Sequence, residues 1–263
     1  MRSQIFHYND LEKISKLKKL NKNKVAIILG GTGRIGSVFT SVLLNQNVKV
    51  FSLTRNFENF NSFKKKLPNN LKKNLRWLQY DMQDINKIEN ISKNIFKKIN
   101  SIDFIINCCG AGFRGKNFNY NAMNIKEDFL TNLGGNLLLI EKLLPLIRKN
   151  KKKHKTIIQT GSLWSLKTPD FNMYLDMNIA PSPISSASKS AILNYSNYLA
   201  AREAKYNITS NCLSPGFFPK KGPVERKDYV KSLNSKIILN RIGKLEDLVS
   251  AIEFLTSPLS TYV

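Results

Sequence analysis

The 263-residue chain is poor in histidine, cysteine and acidic side chains. Its two histidines, His7 and His154, stand far apart and away from other metal-ligand types, which argues against histidine-based triads and zinc sites. Three cysteines, two of them adjacent (Cys108 and Cys109), are too few for a disulfide framework. We therefore expect reduced thiols and a cytoplasmic location.

Long apolar runs are missing as well. No stretch of about 18 apolar residues is present, and the N-terminus has no apolar signal core, so we predict no integral membrane segment. A hydrophobic fraction of 42% and a charged fraction of 23% are ordinary for globular proteins. The sequence therefore predicts a soluble chain with a sizeable core.

The scarcity of acids produces a formal net charge of +24. Such a charge raises the hypothesis of a module that binds nucleic acid or an anionic membrane. However, lysine is spread along the whole chain with equally heavy use of asparagine and isoleucine, which favours a compositional bias. The densest basic run, residues 148–155, has no interleaved aromatics for base stacking. We therefore expect no nucleic-acid partner.

The chain divides into a short leader and one domain. Leu11, Ile14, Leu17 and Leu20 recur at helical spacing, which predicts a basic leader helix over residues 1–23. From residue 24 to 263, short β-rich apolar runs alternate with helix-period segments. This alternation predicts a single α/β domain with a doubly wound parallel sheet. The predicted strands are 25–29, 48–53, 76–80, 103–107, 156–160 and 208–213.

A glycine-rich turn follows the first predicted strand and opens the first helix. Its spacing is G-x-x-G-x-x-G, which suits a tight turn, close approach to a diphosphate and tight packing of helix on strand. Amide groups at the helix start would then face the phosphates. The residues predicted to bind a dinucleotide here are Gly30, Thr32, Gly33, Arg34, Ile35 and Gly36.

The end of the second strand indicates the type of dinucleotide. An acid there binds the ribose hydroxyls of NAD, whereas a basic residue accommodates the extra phosphate of NADP. This chain has Arg55 and no acid, which favours NADP and leaves NAD possible. The alternative is that Arg55 is one more surface cation. Asp81, after the third strand, is a candidate acceptor for the adenine amino group.

Further motifs follow in order, and together they resemble the short-chain dehydrogenase/reductase family. The resemblance runs from about residue 24 to the C-terminus. Within the family, the stretch from Thr168 to Asn178 is similar to a branch found with bacterial surface-sugar and flagellin-glycan genes. The matching motifs are Asn107-Cys108-Cys109-Gly110, Asn132-Leu133-Gly134-Gly135, Thr160-Gly161-Ser162 and Asn211-Cys212-Leu213-Ser214-Pro215-Gly216.

The resemblance implies an NAD(P)-dependent oxidoreductase that interconverts a carbonyl and an alcohol. It implies a Rossmann sheet in the order 3-2-1-4-5-6 and a homodimer or homotetramer. In a departure from the family, we expect the usual last strand of this sheet to be missing. Ser162 would orient the substrate, Asn132 would join the proton relay, and Lys189 would hold the nicotinamide ribose. Asn107, Gly110, Pro215 and Gly216 would line the cofactor. The long loop at 168–178 suits a small polar, sugar-type substrate.

One position departs from the family pattern. The family has a tyrosine four residues before the lysine, whereas Ser185 stands there, and a serine hydroxyl is a far weaker acid. Three alternative sources of the proton remain open. Tyr174 folds in from the long loop, Lys189 donates directly or through a water held by Asn132, or Ser185 makes room for a water. A cofactor-binding protein without turnover is the second hypothesis.

Overall fold

The computed structural model describes residues 21–115, 117–174, 179–218 and 227–263. The predicted leader helix over residues 1–23 lies almost wholly outside the described residues. Its last residues form a turn that contacts the domain, where the Asn21 side-chain amide donates to Gln46 Oε1 (2.6 Å) and to the Thr256 carbonyl (3.0 Å).

A six-stranded parallel sheet organises the described residues. Its strands are β1 (Val25–Leu29), β2 (Lys49–Thr54), β3 (Leu75–Gln79), β4 (Phe104–Asn107), β6 (Lys155–Thr160) and β8 (Ile208–Leu213). They lie in the order β3-β2-β1-β4-β6-β8. This confirms the predicted order 3-2-1-4-5-6, because β6 and β8 are the fifth and sixth predicted strands.

Helices cover both faces of the sheet. They are α1 (Arg34–Asn45), α2 (Phe57–Lys66), α3 (Asn69–Lys72), α4 (Ile85–Lys98), α5 (Ala122–Phe129), α6 (Gly135–Ile147), α7 (Pro183–Glu203), α8 (Lys227–Lys236) and α9 (Val249–Thr256). One continuous helical stretch runs through α5, a π-helical turn at Leu130–Gly134 and α6.

Alternating side chains of the strands build two apolar layers. On β1, Ala26 and Ile28 pack against α1 and α9, while Ile27 and Leu29 pack against α4, α6 and α7. These four side chains are fully buried, whereas Val25 at the start of β1 is half-buried. Burial on both faces explains why the strands read as continuous apolar runs, as is typical of parallel sheets.

Two features were not predicted, and both flank the carboxyl end of the sheet. A two-stranded antiparallel ribbon pairs β5 (Phe113–Gly115) with β7 (Ile179–Pro181). The π turn widens the helix just before α6, and such turns are frequently found at functional sites. The ribbon joins the segment after β4 to the start of α7.

In the part of the chain described, β8 forms one edge of the sheet. The Asn211 side chain on β8 donates to the Val263 carbonyl (2.9 Å), so the last residue lies beside this edge. No further strand pairs with β8 among these residues.

The stretch Ala122–Ile147 is long and apolar enough to cross a membrane by length and composition alone. Half of its most apolar window is buried inside the fold, and α6 contributes Leu139, Ile140 and Leu143 to one core layer. A buried core helix passes the same test, so this helix is weak evidence for a membrane span.

Gly135 tests how tightly this helix packs. A β-carbon on Gly135 would overlap the Met82 carbonyl oxygen, which is backbone and cannot rotate away. We predict that Gly135→Ala destabilises the protein by about 3 kcal/mol, because overpacking against backbone is not easily relieved. This corresponds to a melting temperature lower by about 6–12 °C.

Gly115→Ala is the matched control, since nothing lies within 4 Å of the position that a β-carbon would take there. Thermal melts of the two variants should differ by most of the predicted shift. Equal melting temperatures would contradict the close contact between Gly135 and Met82.

Candidate functional site

The glycine turn between β1 and α1 is closed by backbone contacts. Gly30 has a positive φ of 73°, and its carbonyl accepts from the Gly33 amide at 2.9 Å. A β-carbon on Gly36 would overlap the Gly30 carbonyl, and one on Gly30 would lie 3.1 Å from Cys109 Sγ. Glycine is therefore required at Gly30 and Gly36 by conformation and by space.

The first turn of α1 has no side-chain cap among the described residues. Gly33 precedes the helix and supplies no side-chain cap, and no acid lies in the first turn. Arg34 Nη1 is buried without a hydrogen-bond partner among the described residues, and burial lowers the pKa of this guanidinium. Arginine remains charged in proteins, so an anion at this turn would satisfy an otherwise costly buried donor.

Arg55 and Asp81 lie together at the ends of β2 and β3. Arg55 Nη1 is 4.0 Å from Asp81 Oδ2, and the Arg55 side chain is 68% exposed. Asp81 Oδ1 accepts from the Gln83 amide at 3.0 Å. An exposed pair of this kind contributes little to stability, which leaves the guanidinium available for a phosphate.

The segment after β4 forms the floor between the glycine turn and α7. Asn107 is buried; its amide donates to Gln159 Oε1 (2.9 Å) and accepts from the Cys109 amide (3.1 Å). Burial raises the pKa of Cys108 to about 12, so this thiol carries no charge at neutral pH. Gly110 has a φ of 150°, which favours glycine.

Lys189 points from α7 to this floor. Its ammonium donates to the Thr160 carbonyl at 2.6 Å, and a β-carbon on Gly110 would lie 3.3 Å from Nζ. Burial lowers the pKa of Lys189, since desolvation disfavours the charged form. The thiolate forms of Cys108 and Cys212 would offset part of this shift.

Asn132 lies in the π turn on the other side of Gly110. Its Oδ1 accepts from the Ala111 amide at 2.8 Å, and its Nδ2 donates to the Asp128 carbonyl at 2.9 Å. A β-carbon on Gly110 would lie 3.1 Å from Asn132 Oδ1. Gly110 therefore keeps the space between Asn132 and Lys189 free of a side chain.

Ser162 and Ser185 stand at the start of two helical segments. Ser162 Oγ caps a 3₁₀ turn at Leu163–Ser165 by accepting from the Trp164 amide at 3.2 Å. Ser185 is buried in the first turn of α7, and its Oγ and the Trp164 ring converge about 4 Å from a β-carbon placed on Gly112. An accepting hydroxyl can still donate its own proton to a substrate.

Tyr174 lies in an aromatic cluster. It is buried, and its ring centroid is 5.7 Å from that of Phe113, which lies 5.3 Å from Trp164. Phe217 completes this side at 6.5 Å from Trp164. The long loop therefore contributes apolar packing at Tyr174.

The remaining predicted residues are half-buried or exposed. Pro215 and Gly216 follow β8, with Pro215 half-buried and Gly216 exposed. Ile35 is half-buried against the core layer of α1, and Thr32 is half-buried in the glycine turn.

Two cations of the basic run 148–155 serve the fold itself. Arg148 pairs with the buried Glu203 (2.7 Å), and the buried Lys155 donates to the carbonyls of Lys149 (3.2 Å) and Asn150 (3.0 Å). These cations are not free for nucleic acid. Among the described residues, no group of three or more His, Cys, Asp or Glu side chains could hold a metal ion.

Sequence reasoning missed a buried carboxylate, Asp128, and its partners. Asp128 pairs with Arg114 on β5 and accepts from Ser182 Oγ at 3.1 Å. The one signal in the sequence is that Asp128 precedes Asn132 by four residues, which places both on one helix face. The backbone acceptor for Lys189, the Thr160 carbonyl, gives no sequence signal at all.

Known proteins match both the sequence and the fold. A family model described as short chain dehydrogenase matches residues 24–222. The NADPH-dependent reductase BacG of Bacillus subtilis is 24% identical over 253 residues, which cover 91% of this chain and 93% of that protein.

Two solved structures are also similar. A short chain dehydrogenase of Leptospira borgpetersenii with bound NAD+ is 27% identical, with a TM-score of 0.75 over 92% of this chain and 89% of that chain. The RhlG/NADP complex of Pseudomonas aeruginosa, 18% identical, has a TM-score of 0.80 over 94% of each chain and shows the likeness of fold alone. Since the family model spans most of the sequence, this chain belongs to the short chain dehydrogenase family.

Proposed function

We propose that this protein is an NADP-dependent oxidoreductase that reduces a carbonyl to an alcohol, with Lys189 as the source of the proton. The observation that carries the proposal is the position of the Lys189 ammonium, buried on the Thr160 carbonyl and facing the gap at Gly110. When bound, the reduced dinucleotide supplies a hydride to the carbonyl carbon. The carbonyl oxygen then needs one proton, which completes the alcohol.

The residues present fit a dinucleotide with an extra phosphate. The glycine turn forms a cradle that a β-carbon would fill, and the buried Arg34 Nη1 lacks a partner among the described residues. Gly30, Gly33 and Gly36 would hold the diphosphate, with Arg55 at the adenosine ribose. Asp81, Asn107, Gly110, Pro215 and Gly216 would line the remaining length.

Lys189 is better suited than Ser185 to provide the proton. Burial lowers the pKa of the ammonium and so strengthens it as an acid, whereas a serine hydroxyl starts several units above tyrosine. A water between Lys189 and Asn132 would carry the proton, because Asn132 Oδ1 keeps a second lone pair after bonding to Ala111.

We propose that the substrate lies beside Trp164. Ser185 Oγ and the Trp164 ring both approach Gly112, and Ser162 Oγ accepts from the Trp164 amide, so both hydroxyls lie on the Trp164 side of the site. We propose a small polar substrate of sugar type, in line with the resemblance to the surface-sugar branch. We also propose a homodimer or homotetramer in the cytoplasm, as is common in this family.

A second candidate is a cofactor-binding protein without dehydrogenase turnover. The observation that favours it is the packing of Tyr174 against Phe113, which accounts for this ring without a catalytic role. The two candidates share dinucleotide binding and differ in turnover.

The first prediction from the proposed function concerns Arg34. Arg34→Gln should weaken NADPH binding about tenfold or more, because a buried charge-assisted hydrogen bond is lost. Without cofactor, its melting temperature should equal or exceed that of the wild type, since an unpartnered buried cation is removed. Thermal melts with NADPH and NADH measure both effects.

Arg55→Gln is the companion variant. It should reduce the stabilisation by NADPH and leave that by NADH unchanged, because the 2′-phosphate distinguishes the two. If Arg34→Gln is stabilised by NADPH as strongly as the wild type, the turn does not bind the dinucleotide as proposed.

The next prediction concerns Lys189. Lys189→Arg keeps a positive charge but removes the acid, since arginine does not deprotonate in proteins. We expect the rate of carbonyl reduction to fall about 10²- to 10⁴-fold, while NADPH binding changes far less. Reduction by the wild type should also fall as pH rises through a pKa below the ordinary lysine value of about 10.4, because the ammonium is then lost.

Absorbance of the reduced nicotinamide, followed across a panel of sugar and apolar carbonyls, gives these rates. Lys205→Arg, an exposed lysine beyond the end of α7, is the matched control and should keep the wild-type rate. Full activity of Lys189→Arg would exclude Lys189 as the proton source. Turnover by none of the carbonyls, with NADPH binding intact, would favour the second candidate.

A further inference from the structure

Asp128 is a buried acid with an unusual set of partners. Its side chain is 1% exposed, and its carboxylate forms a two-point ion pair with Arg114 on β5, through Nη2 and through Nε at 3.2 Å. The same carboxylate accepts from Ser182 Oγ at 3.1 Å. The Asp128 carboxylate on α5 therefore contacts β5 through Arg114 and the start of α7 through Ser182.

The first connection leads to the start of α7. Ser182 is the N-cap of this helix, and its Oγ accepts from the Ser185 amide at 3.3 Å. The Ser182 amide donates to the Gly112 carbonyl at 3.0 Å. Asp128 thus orients the cap hydroxyl, and through the cap it fixes where α7 begins. Lys189 lies one turn beyond Ser185 along the same helix.

The second connection leads to the π turn. The Asp128 carbonyl accepts from Asn132 Nδ2, and Asn132 in turn accepts from the Ala111 amide. Arg114 stands three residues after Ala111 and pairs with Ala180 in the ribbon of β5 and β7. The segment that carries Gly110 is therefore held from both sides.

We propose that Asp128 is a positioning residue, which holds the π turn, the β5–β7 ribbon and the start of α7 in one register. The inference rests on the proposed function, because the groups that it aligns are Asn132, Ser185 and Lys189. The Asp128 carboxylate acts through Ser182 and Arg114, while its backbone carbonyl holds Asn132, and Asp128 is not itself a catalytic residue.

The energetics of buried ion pairs support a role in alignment rather than in stability. Desolvation of two charges consumes most of their attraction, and apolar replacements are often equally stable. The pair fixes orientation instead, because a bidentate guanidinium and a cap hydroxyl each hydrogen-bond to the carboxylate in one geometry only. Misplacement of reacting groups by about 1 Å can cost about 100-fold in rate.

Asp128→Asn tests the proposal, since it keeps shape and an acceptor for Ser182 but removes the charge that holds Arg114. We expect kcat for the reduced carbonyl to fall about 100-fold, with KM and the NADPH dissociation constant nearly unchanged. Amide hydrogen exchange should become faster at residues 111–115 and 183–190. Absorbance kinetics, nicotinamide fluorescence and exchange mass spectrometry measure these three effects.

Glu141→Gln is the matched control. Glu141 on α6 also pairs with a cation of α7, Arg202 at 2.8 Å, but at the opposite end of the helix. It also accepts from Tyr195 at 2.6 Å. This variant should speed exchange near residues 195–203 and leave kcat within about twofold of the wild type.

Equal losses of kcat in the two variants, or unchanged exchange at 183–190 in Asp128→Asn, would overturn the proposal. If Asp128→Asn does not fold, Ser182→Ala removes the link to α7 and leaves the ion pair intact. We expect Ser182→Ala to lower kcat about tenfold. This change corresponds to about 1.4 kcal/mol, which lies in the range for the loss of a helix N-cap. If the wild type reduces no carbonyl, the proposed function fails, and exchange at 183–190 with NADPH binding still decides the role of Asp128.

Discussion

The close contact between the start of α1 and the end of β1 determines what this edge of the sheet can do. Gly36 lies directly against the Gly30 carbonyl, so no side chain separates helix from strand. The first amides of α1 therefore face outward at the carboxyl end of the sheet, where the helix dipole favours an anion. The partnerless Arg34 nitrogen adds a second donor at the same place among the described residues.

Parallel strands bring the other site residues to this same edge. Asn107 ends β4, Thr160 ends β6, and Pro215 follows β8, so their order along the edge follows the strand order. The apolar runs that form these strands are visible in the sequence because both faces of the sheet are buried. For this reason the strand positions and their order could be predicted, with boundaries that shift by about one residue.

The ribbon and the π turn could not be predicted in the same way. β5 and β7 have three residues each, too few for a periodic pattern, and they pair across more than sixty residues of chain. The π turn, Leu130–Gly134, combines two leucines with the weak helix formers threonine, asparagine and glycine, and no periodic pattern in these five residues distinguishes a π turn from the end of a helix. The partners of Asp128 are invisible for a related reason, since Ser182 is 54 residues away and only folding brings the two together.

A serine at position 185, where the family resemblance predicts a tyrosine, is compatible with acid catalysis by lysine, because lysine and tyrosine start from nearly the same pKa, about 10.4 and 10. Burial then acts on them in opposite directions. In this protein, burial raises the pKa of Tyr80 and Tyr195, with Glu141 adding to the shift at Tyr195. The same effect lowers the pKa of Lys189.

A buried phenol thus needs a neighbouring cation to become a useful acid, whereas a buried ammonium becomes a stronger acid by desolvation alone. In this chain no charged side chain is hydrogen-bonded to the Lys189 ammonium among the described residues, and desolvation lowers its pKa although the Thr160 carbonyl accepts from it. If Lys189 supplies the proton as proposed, the site requires a fixed position for the ammonium, and the cap of α7 is the group that would provide it.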